Sequence, residues 1–267
     1  MRMFLDRAIA SASRRVESRK AGVPAALLRE ACARASAPPD FLHGVRRGAG
    51  EGVRIIAEVK RASPSRGPIR PDLSVRDLVA SYERGGARAV SVLTEPEFFG
   101  GSLEDLAEAH GATTLPLLRK DFIIDPYQLL EARAYGASAV LLIAAALPGE
   151  GLAGLLSEAA ALGLDALVEV HDEPELEAAL DAGAAIVGIN NRDLRSLEVD
   201  LETTSRLAPL VPPERVLVSE SGYARRGQLS HLTALGVDAV LVGEALVRGK
   251  DPCLSLMELA GGGRVTA

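Results

Sequence analysis

The chain has no tryptophan, and aromatic residues make up only 3% of its 267 positions. A core must therefore come from Val, Ile, Leu and Ala, which suits parallel strands buried on both faces. Cysteine is nearly absent: Cys32 and Cys253 lie in predicted helical segments with no metal-ligand spacing. They read as small buried apolar residues of a reduced, cytoplasmic protein. No apolar run approaches the roughly 18 residues of a membrane span, and the N-terminus lacks the apolar stretch of a signal peptide. There is no basic surplus either. Thirty Lys and Arg against 36 Asp and Glu leave a net charge of −6 and a pI near 5.4, which argues against nucleic acid or another polyanion as partner. No membrane association is expected. A size of 267 residues fits two small domains or one large α/β domain.

Lysine is scarce too. Only Lys20, Lys60, Lys120 and Lys250 are found, and two of them end apolar, strand-like runs, Ile55–Lys60 and Leu117–Lys120. A run that ends in an ammonium leads out of a core into a polar pocket or snorkels at a rim. Lysine, unlike arginine, also loses its proton readily when desolvated. Lys60 and Lys120 are thus the first candidates for chemistry.

From residue 54 onward, β-rich runs alternate with Ala/Leu-rich amphipathic stretches. The runs are 54–60, 88–93, 115–120, 139–143, 165–170, 185–189, 215–219 and 239–242. Predicted helices between them include 73–84, 125–135, 173–182 and 224–235. Gly86, Gly136, Gly183 and Gly236 stand just before the next strand, where a left-handed C-cap turns the chain back into the sheet. Eight units of βαβ length point to an α/β fold, a (β/α)₈ TIM barrel. A doubly wound sheet has fewer strands, and no glycine-rich dinucleotide fingerprint opens the first unit. Residues 1–53 do not fit the repeat. They read as an N-terminal helical extension packed on the barrel (54–260), with helices over 4–19 and 24–35 and a Pro/Gly-rich tether after them. Residues 261–267 read as a flexible tail.

Strand side chains alternate in direction, so Ile56, Glu58 and Lys60 share one face, as do Leu118 with Lys120, Leu167 with Glu169, and Val218 with Glu220. Interior layers of such a barrel draw on alternate strands. One top layer can therefore hold Glu58 or Lys60, Lys120, Glu169 and Glu220, with Asn190 and Arg192 added from the sixth strand. Burying charges costs several kcal/mol per ion unless they are well paired, so a whole ionisable layer points to catalysis. Carboxylates outnumber ammonium groups in it, so a glutamate is expected to share a proton and to suit acid–base work. Ser219-Glu220-Ser221-Gly222 and Val242-Gly243-Glu244-Ala245 end the seventh and eighth strands, the usual phosphate site of this fold, and each is expected to lead into a helix. The loop Lys60–Pro68 carries three cations, two hydroxyls and a Gly-Pro hinge, and reads either as a solvated loop or as a mobile lid over an anionic substrate.

At this point the runs resemble a known family. Glu58-Val59-Lys60-Arg61-Ala62-Ser63-Pro64-Ser65 resembles the first-strand signature of indole-3-glycerol phosphate synthases, and Leu118–Gln128 is similar to their third. Leu167–His171, Gly188–Leu194 and Ser219–Gly222 are similar to the fifth, sixth and seventh. The resemblance implies ring closure of 1-(2-carboxyphenylamino)-1-deoxyribulose 5-phosphate with loss of CO₂ and water, without metal or organic cofactor. It implies Lys120 as general acid and Glu169 as the residue that completes dehydration. Lys60 would pair with substrate anions, and Glu58 and Asn190 would orient these groups. Ser221, Gly222 and Gly243 would hold phosphate, Ser221 being counted with the catalytic set. Ser63 and Phe122 would line the anthranilate side, and Arg192, Glu220 and Glu244 would complete the substrate site. Ala245 departs from the pattern, since serine is common there. The implied partner is a small anionic sugar phosphate. A monomer is expected, with a weak homodimer or contacts in a pathway complex as alternatives. Rival readings are phosphoribosylanthranilate isomerase, which would need a cysteine at an early strand end, a Schiff-base aldolase using Lys60 or Lys120, and a non-catalytic barrel module.

Overall fold

Alternation of β-branched runs with Ala/Leu-rich helices closes the chain on itself. The computed structural model describes residues 4–261, so residues 262–267 of the expected tail lie outside the described residues. Three helices come first, α1 (Phe4–Gly22), α2 (Ala25–Arg34) and α3 (Phe41–Val45). The strands are β1 (Arg54–Val59), β2 (Ala89–Leu93), β3 (Leu117–Lys120), β4 (Ala139–Ile143), β5 (Asp165–Val170), β6 (Ile186–Asn190), β7 (Val216–Glu220) and β8 (Ala239–Val242). Each pairs in parallel with its neighbours in sequence, and β8 closes the circle against β1. Outside them lie α4 (Val75–Arg84), α5 (Pro96–Phe99), α6 (Leu103–His110), α7 (Pro126–Ala134), α8 (Gly151–Ala161), α9 (Glu173–Asp181) and α10 (Glu202–Leu207). The last two are α11 (Glu244–Val247) and α12 (Pro252–Ala260).

Side-chain alternation sorts the strands into two cores. Ile56, Leu118, Leu167, Ile186, Val218 and Leu241 fill the barrel interior. Val90, Val140, Val168, Val187, Leu217 and Val240 face outward into the helices. Gly86, Gly136, Gly183 and Gly236 take φ between +80° and +92°, the left-handed turn expected before each strand.

The N-terminal segment touches both ends of the barrel. At the strand starts, α3 buries Phe41 and Val45, and Leu42 N–H donates to Asp165 while Arg54 donates to the carbonyls of His43 and Gly44. At the strand ends, α1 presents Arg15 to Glu95 and Asp121 (2.6 and 2.8 Å) and Arg19 to Glu131 (3.2 Å). Asp121 and Glu131 also serve Arg119, which is fully buried on the outer face of β3. Its guanidinium donates to Thr94, Asp121, Glu131 and the Gln128 carbonyl. Three arginines and three carboxylates thus satisfy one another where α1, α5 and α7 meet β3.

Three expectations need correction. Residues 224–235 do not form a helix; only a 3₁₀ turn at Arg226–Gln228 and further turns appear. Gly227 weakens a helix there, and Gln228 Oε1 accepts the N–H groups of Ala224 and Arg225, while the backbone continues through i→i+3 bonds. The tether before the barrel contains α3, whose five residues are too short to show periodicity. Cys32 and Cys253 are half-exposed rather than buried.

Removing Arg119 strands buried carboxylates. Arg119→Met is expected to lower the unfolding free energy by about 3 kcal/mol, the range for breaking a buried ion pair from one side. Urea unfolding monitored by circular dichroism tests this, and a loss below roughly 1 kcal/mol would show that the network contributes little.

Candidate active site

The C-terminal ends of the strands surround a cavity of about 580 Å³. One wall is apolar, with Phe4, Leu93, Phe99, Phe122, Leu141 and Ile143 on it. Phe4 reaches in from α1 and packs edge-on against Phe98 and Phe122, with ring centroids 5.1 and 6.0 Å apart. The floor is ionic.

Glu58 and Lys120 come from interior positions of β1 and β3, one step above Ile56 and Leu118. Lys120 Nζ lies 2.7 Å from Glu220 Oε2 and 3.5 Å from Glu58 Oε2. Lys60, just beyond the end of β1, lies 2.6 Å from Glu58 Oε1. Glu58 therefore occupies the layer and Lys60 stands above it, bridged by one carboxylate. Room for these carboxylates comes from glycine. A Cβ at Gly188 would lie 2.5 Å from Glu220 Oε1, and one at Gly243 would collide with the Glu58 carboxylate.

Charge states follow from the packing. Burial works against the Lys120 ammonium, yet Glu220, Glu58 and Glu169 outweigh it and hold its pKa above the ordinary lysine range. The sequence-based notion of a desolvated lysine that gives up its proton is corrected for Lys120. Burial would raise Glu58, but Lys60 and Lys120 draw it below the usual carboxylate value. Glu220 goes the other way. Burial, together with the charges of Glu169 and Glu58, pushes it up to about 7 despite Lys120. Glu169 is held low against its burial by His171, Lys120 and Asn190.

Backbone geometry shapes the far side. Ser221 (φ +67°) and Gly222 (φ +91°) turn the chain sharply after β7. Asn191 donates to the Ser221 carbonyl at 3.1 Å and accepts from Thr204 N–H and Oγ1, within a buried cluster that includes Ser219 and Tyr223. After β8 comes Gly243, and Glu244 pairs with Arg66 (3.4 Å) and Arg248 (3.2 Å). Arg192 donates to the Leu197 carbonyl at 2.7 Å, and burial lowers its pKa. The expected helices after β7 and β8 reduce to a 3₁₀ turn and the four-residue α11. Residues 62–68 form a short antiparallel hairpin, anchored by Arg61 to Asp105 and to the Leu73 carbonyl.

Of the residues nominated from the sequence, Glu58, Lys60, Ser63, Lys120, Phe122, Glu169, Asn190, Arg192, Ser221, Gly222, Gly243 and Glu244 all line this cavity. Glu220 does not. It has no exposed surface and pairs with Lys120 at 2.7 Å; the strand pleat gives its face but not its depth. Phe4, Phe99, Tyr223 and Arg248 also line the cavity and carry no signal in the strand pattern. Among the described residues, no group of three His, Cys, Asp or Glu side chains is placed to hold a metal ion.

A model of the family described as indole-3-glycerol phosphate synthase matches residues 5–259. An indole-3-glycerol phosphate synthase of Dehalococcoides mccartyi is 49% identical over 261 residues, covering 96% of this chain and 100% of the relative. That of Streptomyces griseus is 47% identical over 259 residues, covering 97% and 95%. Among solved structures, a tryptophan synthase alpha-subunit from Pyrococcus furiosus superposes with a TM-score of 0.60 at 14% identity, covering 79% of this chain and 99% of that one. A thiamine phosphate pyrophosphorylase of the same organism gives 0.59 at 17%, covering 78% and 94%. At such identities the two share the barrel fold.

Glu220 makes a pH prediction. Its folded pKa of about 7 exceeds the ordinary 4.5, so between those values the unfolded chain ionises while the folded protein keeps the proton. The folded state then binds more protons and loses stability as pH rises through that window. Glu220→Gln cannot titrate, so its stability relative to the parent is expected to increase from pH 5 to pH 8 in urea unfolding. A constant difference between the two proteins would refute the raised carboxyl.

Proposed function

The chain belongs to the indole-3-glycerol phosphate synthase family, and from that premise we propose which side chains carry its reaction. The activity is ring closure of 1-(2-carboxyphenylamino)-1-deoxyribulose 5-phosphate to indole-3-glycerol phosphate with loss of CO₂ and water, a carboxy-lyase step of tryptophan biosynthesis.

The observation that carries the assignment is the Lys120 ammonium, 2.7 Å from Glu220 at the floor of a cavity with one apolar wall. Its neighbours keep it charged. Lys120 donates to the substrate carbonyl oxygen, making that carbon electrophilic for attack by the ring carbon that bears the carboxylate. Departure of CO₂ restores aromaticity. Lys120, recharged with a proton from solvent, then protonates the hydroxyl, which leaves as water, and the Glu169 carboxylate accepts the proton lost from the new five-membered ring. Lys60 faces the substrate's carboxylate, with Glu58 fixing its ammonium, while Asn190 orients Glu169. Phe4, Phe99 and Phe122 seat the aromatic ring, with Ser63 beside it. The phosphate sits on the backbone of Ser221, Gly222 and Gly243, flanked by Arg192 and Arg248, where glycine permits close approach. Ala245 adds no hydroxyl there. Glu244 fixes the two arginines it pairs with, Arg66 and Arg248.

A charged Lys120 is a poor Schiff-base nucleophile, which weighs against the aldolase reading. Cys32 and Cys253 lie on α2 and α12, away from the strand ends, which weighs against a cysteine-based isomerase. No described helix is long and apolar enough to cross a membrane. We assign the protein to the cytoplasm because two free, half-exposed thiols suit a reducing compartment. A monomer is our reading of its state, since the exposed Leu27, Leu210 and Leu254 stand on separate elements.

Mixing the purified chain with the substrate in EDTA is expected to give rising indole fluorescence, over the low background of a protein without tryptophan. Lys120→Ala should turn over at least about a hundredfold more slowly, the lower range for a lost acid. Near-normal turnover in that variant would remove Lys120 from its role, and a flat trace from the parent chain would overturn the assignment as a whole.

A further inference from the structure

His171 follows the strand that carries Glu169, and the reaction laid out above leaves it without a task. Its surroundings are specific. Nδ1 lies 2.9 Å from Glu175 Oε2, and the same oxygen accepts the His171 backbone N–H at 2.9 Å. Glu175 is itself fixed in the first turn of α9, where its N–H donates to Asp172. With Nδ1 committed to Glu175, the imidazole turns Nε2 toward Glu169 Oε1 at 3.4 Å. Nε2 is fully buried and has no hydrogen-bond partner.

We infer that His171, clamped by Glu175, is the cation that keeps Glu169 an ionised carboxylate, which makes it a positioning residue for the proton transfer assigned to Glu169. The inference rests on that assignment and extends it. Lys60 and Lys120 pair most closely with Glu58 and Glu220 rather than with Glu169. The ion pair that Glu169 makes is with His171. Its imidazole sits between two carboxylates that outweigh its burial and raise its pKa to about 10. The separation from Glu169 also matters. At 3.4 Å with poor alignment the contact falls short of a directional hydrogen bond, yet the charge still acts. The carboxylate oxygens stay free to receive a proton from substrate.

Other groups facing Glu169 are Lys120 from β3, Asn190 from β6 and Glu220 from β7, the last opposing its ionisation. His171 faces Glu169, Glu175 from α9 and, further off, Asp193 after β6.

The test is His171→Gln, which keeps a polar side chain and loses the charge. Two readouts are taken: the acidic limb of kcat against pH, and the ¹³C titration of the Glu169 δ-carbon in the unliganded protein, assigned with Glu169→Gln. Loss of a neighbouring cation is expected to move both to higher pH by about one unit or more. Glu175→Gln should move both the same way by less, because it loosens the ring and removes one of its two carboxylates. If the δ-carbon titration stays in place in His171→Gln, whatever happens to thermal stability, His171 is structural and the inference is overturned. A shifted titration with an unmoved kcat limb would instead overturn the proton-transfer role of Glu169 and leave the charge pairing standing.

Discussion

The Lys120 ammonium, held between Glu220 and Glu58 inside the barrel mouth, sets the terms for everything around it. At an effective dielectric of about 20, two unit charges 2.7 Å apart attract by roughly 6 kcal/mol, and burying each ion costs several kcal/mol. The terms are of one size, so the arrangement survives only with good geometry. That requirement reaches into the backbone. Gly188 and Gly243 stand where any side chain would displace a carboxylate, so β6 and the turn after β8 give up side chains to seat the charges. It reaches into protonation as well, because burial, with Glu169 and Glu58 nearby, leaves Glu220 with a pKa near neutrality.

Strand β3 carries two cations on opposite faces. Lys120 faces the interior, and Arg119, the preceding residue, faces the helices with no exposed surface. Each face neutralises its own cation: Glu220 and Glu58 inside, Asp121 and Glu131 outside. Asp121 and Glu131 are also the groups that receive Arg15 and Arg19 from α1. The N-terminal segment is therefore wired to the peptide that bears the proposed acid, and Phe4 from the same helix forms part of the cavity wall. Removing that segment would uncover the cavity and leave the outer carboxylates of β3 short of cations.

Much of this was legible in the sequence because strand periodicity is a hard constraint. Parity alone separates Glu58, Lys120, Glu169 and Glu220 from their outward neighbours, and the glycines at 86, 136, 183 and 236 mark the unit boundaries. What parity cannot give is depth. Glu220 and Glu169 share a face type, but one lies beneath a lysine and the other lines the cavity. Residues 224–235 show helical periodicity because Leu229 and Leu232 are buried, and burial is what the pattern reports; the backbone there follows Gly227 and the Gln228 side chain instead. Phe4, Tyr223 and Arg248 reach the site from outside the strands, where no period exists to read.

The charge arrangement also separates two chemistries open to a barrel lysine. A Schiff-base lysine must shed its proton near neutral pH, which calls for desolvation without close carboxylates. Here desolvation is present, but Glu220 and Glu58 lie within 3.5 Å and reverse its effect. The same site that buries the amine keeps it an acid. Its neighbours on the rim, Lys60 and Arg192, add positive charge toward the cavity, while Glu169 stays ionised among its own cations. A charged donor and an ionised acceptor in one cavity are what a dehydration requires, since the proton given to the leaving hydroxyl must be matched by one taken from the ring.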